Sequence, residues 1–144
     1  MNPLLRWCGW LAAVLFSCSA ALAAFAAFAA FAAPADLRGL WRNPDGSVVV
    51  RIDSCGAEIC GTVVRADATA QADARDGGYP RLIGLRLLYG YRPTSARHWV
   101  GRVLVPDLGH VFSSHIDLID QNHARIAGCL FHQHLCQTQV WERT

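Results

Sequence analysis

The sequence contains no lysine, and it lacks the short motifs that mark common hydrolases and thiol enzymes. There is no G-x-S-x-G turn, no H-E-x-x-H helix and no C-x-x-C pair. Each of these motifs sets a nucleophile or a pair of metal ligands at a fixed spacing, so the usual signals of catalysis are missing. We therefore predict a protein that is not an enzyme and that uses no cofactor.

Positive charge is carried by arginine alone and is not concentrated in any segment. Of the thirteen arginines only Arg6 precedes residue 36, so twelve remain after it, against eleven Asp and Glu. The arginines alternate with the acids, whereas a phosphate-binding face would gather them together. Nucleic acid is therefore not an expected partner.

The first 35 residues resemble an export signal. Arg6 is followed by a long apolar run, rich in Ala, Leu and Phe, that ends in small residues. A short positive start, an apolar middle and an A-x-A ending are typical of a cleaved signal peptide. We predict a signal peptide over residues 1–35, cleaved near Ala33 or Ala35. The single domain over residues 36–144 would then lie in the periplasm or outside a bacterial cell.

Two other interpretations of this segment remain open. The apolar run is long enough for a bilayer span, which takes about 20 residues, so an uncleaved signal would anchor the chain in a membrane. This is the only membrane contact that we expect. Cys18 follows Leu15-Phe16-Ser17, which faintly resembles a lipoprotein box, although a bulky Phe stands where such boxes hold a small residue. Cleaved export is the favoured interpretation.

Four cysteines follow the signal segment: Cys55, Cys60, Cys129 and Cys136. An even number of cysteines in a small exported chain predicts two disulfide bonds. Each neighbouring pair brackets a turn and could close its own hairpin, and the two crossed pairings satisfy the same count. Thiol catalysis is the weaker alternative, because neither pair has the spacing of a redox motif.

Alternating hydrophobicity predicts β-strands throughout the exported part. Val48, Val50 and Ile52 lie two residues apart, which is the pattern of a strand with one buried face. Turn signals such as Asn43-Pro44-Asp45-Gly46 and Arg92-Pro93-Thr94-Ser95 separate the segments. The predicted strands cover residues 39–43, 48–53, 59–66, 83–91, 98–105, 110–119, 123–131 and 137–143.

Eight short strands with tight turns predict an all-β fold and are what an antiparallel barrel or sandwich requires, and we favour a small antiparallel β-barrel. Closure into a barrel would also remove the exposed edges of the sheet. The one long connection covers residues 67–81 and is rich in Ala, Asp and Gly. We predict either a mobile loop or a short helix over one mouth of the barrel there.

A set of short pieces in a fixed order resembles a known family. The pieces include Gly39-Leu40-Trp41, Ile52-Asp53-Ser54-Cys55-Gly56, Pro106-Asp107-Leu108-Gly109, Ala127-Gly128-Cys129 and Gln139-Val140-Trp141-Glu142-Arg143. Together they are similar to the bacterial family called domain of unknown function 2147, over nearly all of residues 36–144. The resemblance implies a lipocalin-like fold and an exported protein. It implies no activity, because none is established for the family.

The two ends of the barrel sequence suggest how the sheet closes. Trp41 lies in the first predicted strand and Arg143 in the last. If they meet, the guanidinium can lie over the indole face, which is worth about 0.5–2 kcal/mol. This arrangement resembles the Trp–Arg pair of the lipocalin superfamily. We interpret both residues as structural.

Aromatic side chains in the middle strands suggest a ligand-binding interior. A barrel of about eight strands is either filled by its own side chains or holds one small ligand. Our leading hypothesis is a binding module for a small apolar or amphipathic ligand. Its candidate contacts are Tyr89, Trp99 and Phe112, with Arg86 or Arg102 orienting an acidic head group, and Tyr91 and Phe131 as further lining residues. The alternative is a filled barrel that acts in the envelope by protein contact.

The third hypothesis is metal binding at the last hairpin. His132 and His134 would point to one face of a strand, and Cys129 and Cys136 could complete four ligands. An oxidising compartment favours a disulfide instead. We therefore treat the two histidines as weak candidates and predict no bound metal.

Two other groupings have a structural explanation. Asp67, Asp73 and Asp76 could offer oxygens to calcium, but their spacing matches no known calcium loop. Ser114 and His115 are neighbours in a strand and so face opposite ways, while Asp117 shares the face of His115. Neither grouping changes the prediction of a protein without catalytic activity.

Overall fold

Eight strands make up most of the described part of the protein, in a computed structural model. The structure describes residues 35–131 and 134–144, so the predicted signal peptide, except its last residue, and His132 lie outside the described residues. Within the described ranges, no helix is long and apolar enough to cross a bilayer. The strands are β1 (Gly39–Arg42), β2 (Val48–Cys55), β3 (Glu58–Ala66), β4 (Arg86–Ser95), β5 (His98–Val105), β6 (His110–Leu118), β7 (His123–Cys129) and β8 (Cys136–Arg143).

Each strand pairs antiparallel with the next one in the chain, and β8 returns to pair with β1. The sheet is therefore a closed barrel, which confirms the predicted fold class and the number of strands. The seam between β1 and β8 is short, because it registers only Trp41 with Arg143 and Arg42 with Glu142. Side-chain contacts between β1 and β8 therefore contribute more to the stability of this pairing than they would between two long strands.

The main departure from the predicted strands is the start of β4. We predicted a strand from residue 83, and the structure begins it at Arg86. Gly84 adopts a φ of 87°, and the amide of Leu85 donates to the carbonyl of Leu82 at 3.0 Å. A positive φ and this backbone bond make a turn just before the strand, because the left-handed conformation interrupts the extended chain.

The end of β4 also differs, since residues 92–95 are strand although they were predicted as a turn. Pro93 is paired opposite Trp99, next to a shift in the β4–β5 register. Proline is tolerated in a strand where the ladder is irregular, because its missing N–H then costs no regular bond. The tight turn falls instead at residues 96–97.

The core fills most of the barrel interior. Its largest fully buried side chains include Trp41, Tyr91, Leu88 and Ile52. Gly101 makes room for one of them, since a Cβ there would lie 2.7 Å from the ring of Tyr91. Burial of one such apolar side chain stabilises the fold by about 1.5–3 kcal/mol, so packing rather than turn chemistry holds the barrel together.

The long connection between β3 and β4 contains a helix, α1 (Ala68–Asp76). Asp67 is its N-cap, and its Oδ1 accepts from the amide of Ala70 at 2.8 Å. The helix buries Ala74 and contacts the 3-10 turn Pro106–Leu108 between β5 and β6. A short helix was one of the two structures predicted for residues 67–81.

Candidate functional site: a cleft at one mouth and a histidine–disulfide cluster on the wall

A cleft of about 420 Å³ opens at one mouth of the barrel. Its walls come from the segment before β1, from the hairpins β2–β3 and β4–β5, and from the first residues of β5. Because α1 joins the other ends of β3 and β4, it lies at the opposite mouth. The lining residues are Ala35, Asp36, Leu37, Arg38, Ser54, Ile59, Pro93, Ser95, Ala96 and Trp99.

The lining combines apolar surface with a few polar groups. Ile59 is half-buried and offers apolar contact area, whereas Leu37 and Trp99, 0% and 4% exposed, form part of the wall but leave almost none of their own surface open. Arg38 and Asp36 form an ion pair at 2.9 Å on the rim, where both side chains are about half exposed. The hydrogen bonds that Arg38 donates lower the pKa of Asp36, which keeps that carboxylate charged.

Arg143 stabilises both the β1–β8 closure of the barrel and the segment that forms one wall of the cleft. The guanidinium carbon of Arg143 lies 4.3 Å from the ring centroid of Trp41. The same guanidinium donates to the carbonyls of Asp36 and Arg38, and the indole N–H of Trp41 donates to the carbonyl of Leu37 at 2.8 Å. The pair therefore also fixes the segment that lines the cleft.

The aromatic residues proposed from sequence are not gathered in one place. Trp99 lines the cleft, whereas Tyr89 and Phe112 are half-buried in β4 and β6 outside its lining. Phe112 makes an edge contact with His110, with ring centroids 4.7 Å apart. Tyr91 is fully buried and donates to the Ser114 hydroxyl at 2.6 Å. Burial raises the pKa of Tyr91.

The two arginines proposed for a head group lie away from the cleft. Arg86 and Arg102 are exposed on β4 and β5 and are not part of the lining. Arg38 is the arginine at the rim, and sequence reasoning missed it together with Leu37. The available signal was the single apolar residue between two charged ones, directly before the first strand.

A second group of side chains, two histidines, an aspartate and a disulfide sulfur, lies on the outer face of β5, β6 and β7. His98 Nδ1 lies 2.5 Å from one oxygen of Asp117, and His115 Nε2 lies 3.9 Å from the other. The two imidazole rings have centroids 5.5 Å apart. The remaining nitrogen of His115, Nδ1, lies 4.0 Å from the sulfur of Cys129. The group forms a row that ends at a disulfide.

Both disulfide bonds are local. Cys55 pairs with Cys60 and Cys129 pairs with Cys136, so each bond closes one hairpin. This confirms two disulfides and selects the local pairing over the crossed ones. Each bond links two strands that are already joined by a turn.

Two residues of the hairpin closed by the second disulfide are exposed and conformationally strained. Phe131 and Leu135 are 77% and 74% exposed, and they are the described non-glycine residues with a positive φ, at 53° and 55°. Bulky residues rarely adopt this conformation, which costs of order 1–3 kcal/mol each. Both residues lie in the loop that Cys129 and Cys136 close.

No metal site follows from the described histidines and acids. His134 is exposed, and His132 lies outside the described residues. The donor atoms of His115, Cys129 and Cys136 lie within 4.8 Å of one another, but the two sulfurs are joined to each other and offer no thiolate. Asp67, one of the three acids considered for calcium, uses its side chain as the N-cap of α1.

Comparison with known proteins agrees with the geometry. The eight-stranded meander that closes on itself is a lipocalin-like barrel. The chain belongs to the family described as "Uncharacterized protein conserved in bacteria (DUF2147)", whose model matches residues 39–143. No functionally curated sequence matches the chain.

One solved structure with a similar fold is described as "Protein HP1028 from the human pathogen Helicobacter pylori belongs to the lipocalin family". The TM-score is 0.62 at 10% sequence identity, over 76% of this chain and 83% of the other. At this level of identity the likeness concerns the fold alone.

Proposed function

We propose that this protein is an exported, non-enzymatic binding module that holds a small apolar or amphipathic ligand in the cleft beside Trp99. The observation that carries the proposal is the cleft itself, a concavity of about 420 Å³ at one mouth of the barrel. Sites for small molecules are typically concave, mostly apolar and about 300–1,000 Å³ in volume, with a few polar groups. The cleft meets each of these conditions.

The proposed ligand contacts differ from those suggested by sequence. Trp99 remains the aromatic contact, and Leu37 and Ile59 supply the rest of the apolar wall. Arg38 replaces Arg86 and Arg102 as the cation nearest the ligand. An acidic head group at the rim would share Arg38 with Asp36, so the head group adds selectivity while the apolar walls supply most of the affinity.

The test is mass spectrometry of the full-length precursor, expressed in a bacterium and recovered from the periplasm. The denatured mass fixes the cleavage point and is expected to lack four thiol hydrogens. The native mass is expected to include a small molecule that is lost on organic extraction. A bare native mass, or an uncleaved chain retained in the cytoplasm, would contradict the proposal.

A second candidate function is supported by three exposed apolar residues in the β7–β8 loop. Leu130, Phe131 and Leu135 are 49–77% exposed next to one another, and exposed apolar patches often mark protein contacts. In this case the protein acts in the envelope by binding another protein. Replacement of Phe131 and Leu135 by Ser would then abolish co-isolation with that partner, whereas Ile119→Ser, 42% exposed in the β6–β7 turn, would not.

A further inference from the structure

The two disulfides sit in different chemical surroundings. Cys129 is 2% exposed and its sulfur lies 4.0 Å from His115 Nδ1, while Cys136 on the same bond is exposed. The bond between Cys55 and Cys60 has no such histidine among the described contacts. The Cys129–Cys136 bond therefore joins an exposed cysteine to a buried one whose sulfur faces a histidine nitrogen.

We propose that the Cys129–Cys136 disulfide is a thiol–disulfide exchange site for a dithiol, in which Cys136 is attacked and Cys129 leaves. Attack in exchange occurs along the line of the bond at an accessible sulfur, and the leaving sulfur takes up negative charge. Exposure selects Cys136 for attack. When Nδ1 of His115 carries a proton, it can donate to the departing sulfur, which favours Cys129 as the leaving group.

The row of residues behind His115 supports this role. Asp117 lies 3.9 Å from His115 Nε2 and accepts from His98, so the carboxylate faces both rings. A carboxylate that faces one nitrogen of an imidazole favours the ring orientation in which the other nitrogen points away. Asp117 is therefore placed to attract the Nε2 side of His115 while Nδ1 faces the sulfur, and Asp117 is itself held by its shorter contact with His98.

Backbone strain in the hairpin favours opening of the same bond. Phe131 and Leu135 are held at positive φ inside the loop that the disulfide closes. Strained backbone persists where surrounding structure imposes it, and it is concentrated at functional sites. Once the bond is broken, the loop is free to relax, so reduction releases strain here and not at the Cys55–Cys60 hairpin.

The exchange transfers two electrons from the dithiol to the protein disulfide. A thiolate of the dithiol forms a bond to Cys136 Sγ, the Cys129–Cys136 bond breaks, and its electron pair stays on Cys129 Sγ beside His115. The second thiol of the dithiol, as thiolate, attacks the mixed disulfide and releases Cys136 as a thiolate. Both Cys129 and Cys136 then take up the protons given by the two thiols, so the dithiol is oxidised and the protein disulfide is reduced.

The test compares the two disulfides within one molecule. Wild-type protein is treated with dithiothreitol in the presence of a metal chelator, quenched with acid, alkylated and analysed by peptide mass spectrometry. Cys129–Cys136 is expected to open about tenfold faster than Cys55–Cys60. Equal rates, or faster opening of Cys55–Cys60, would overturn the proposal.

Two further measurements isolate the assigned roles. His115→Gln is expected to slow opening of Cys129–Cys136 about tenfold without changing Cys55–Cys60, because only the first bond lies beside that ring. His123→Gln is the matched control, since His123 also contacts a carboxylate, Asp120, but not a sulfur.

Glutathione trapping on wild-type protein needs no variant. The mixed disulfide is expected on Cys136, and its appearance on Cys129 would overturn the assignment of the attacked sulfur.

Discussion

At the scale of single residues, the barrel interior contains one buried hydrogen bond that spans three strands. Tyr91 in β4 donates to Ser114 in β6 across Gly101 in β5, which is registered opposite Ser114. The contact is made without a clash because Gly101 has no Cβ in the path of the tyrosine ring. A buried hydroxyl that keeps its partner costs little, whereas one that loses its partner is expensive.

Tyr91→Phe therefore destabilises the fold by about 1–3 kcal/mol at neutral pH, because the Ser114 hydroxyl stays buried without its donor. Burial raises the pKa of Tyr91 above its usual value near 10. Because the pKa of Tyr91 is higher in the folded state than in the unfolded state, folding is favoured by the neutral side chain. This stability is fully present below the unfolded-state pKa and is lost as the pH rises from that value through the folded-state pKa. Denaturant unfolding from neutral to alkaline pH measures both effects. The loss of stability above pH 10 should be smaller in the variant, and equal alkaline losses would contradict the account.

Residue-scale features divide into those that sequence alone predicts and those that depend on strand pairing. The alternation in β2 predicts Val50 and Ile52 as core residues, because a strand has a period of two. The Tyr91–Ser114 contact needs the register of three strands, which no local pattern contains. Arg38 and Leu37 were missed for a similar reason, since their position at the cleft is set by distant Arg143.

At the scale of elements, the short β1–β8 seam is the least supported pairing of the barrel. Two residue pairs join these strands, and each pair includes an arginine. Arg143 is half-buried, lies over Trp41 and donates to three backbone carbonyls, those of Asp36, Arg38 and Gln121. Gly39, with a φ of 136°, leaves the space that the Arg143 guanidinium occupies.

Arg143→Gln is expected to destabilise the barrel by about 2–4 kcal/mol, because it removes the contact with the indole and the charge-assisted bonds to carbonyls. Arg42→Gln is the matched control at the same seam. Arg42 pairs with Glu142 at 2.8 Å, but both side chains are about half exposed, so its loss should cost less than about 1 kcal/mol. Urea unfolding of both variants measures the difference. Equal costs would show that the seam depends on charge alone.

Element boundaries show where local sequence signals fail. The Arg92-Pro93-Thr94-Ser95 segment has the composition of a turn, yet it continues β4, because a register irregularity accommodates the proline. The helix α1 was one of two predictions for residues 67–81, and its capping by Asp67 follows the usual N-cap chemistry. Strand existence was thus predictable from periodicity, while strand ends depend on the neighbouring strand.

At the scale of the whole molecule, the number of strands was predictable from periodicity, but the location of the cleft was not. Eight alternating segments with tight turns fit a barrel or a sandwich, and the resemblance to the family favoured the barrel, whose closure satisfies both edges of the sheet. The cleft exists because one mouth is bordered by hairpins and by the segment before β1, whereas the other mouth is near α1. That arrangement follows from how the connections fold over the barrel, which strand periodicity does not encode.

The most direct test of ligand binding in the cleft is isothermal titration calorimetry with a panel of fatty acids from lauric to oleic. Wild type is compared with Ala96→Trp, which places a large side chain on the exposed rim, and with Ala68→Trp at the start of α1. We predict saturable binding to wild type and to Ala68→Trp, and at least about tenfold weaker binding to Ala96→Trp, a loss of about 1.4 kcal/mol. No saturable heat for any fatty acid, or equal affinity in Ala96→Trp, would contradict the account.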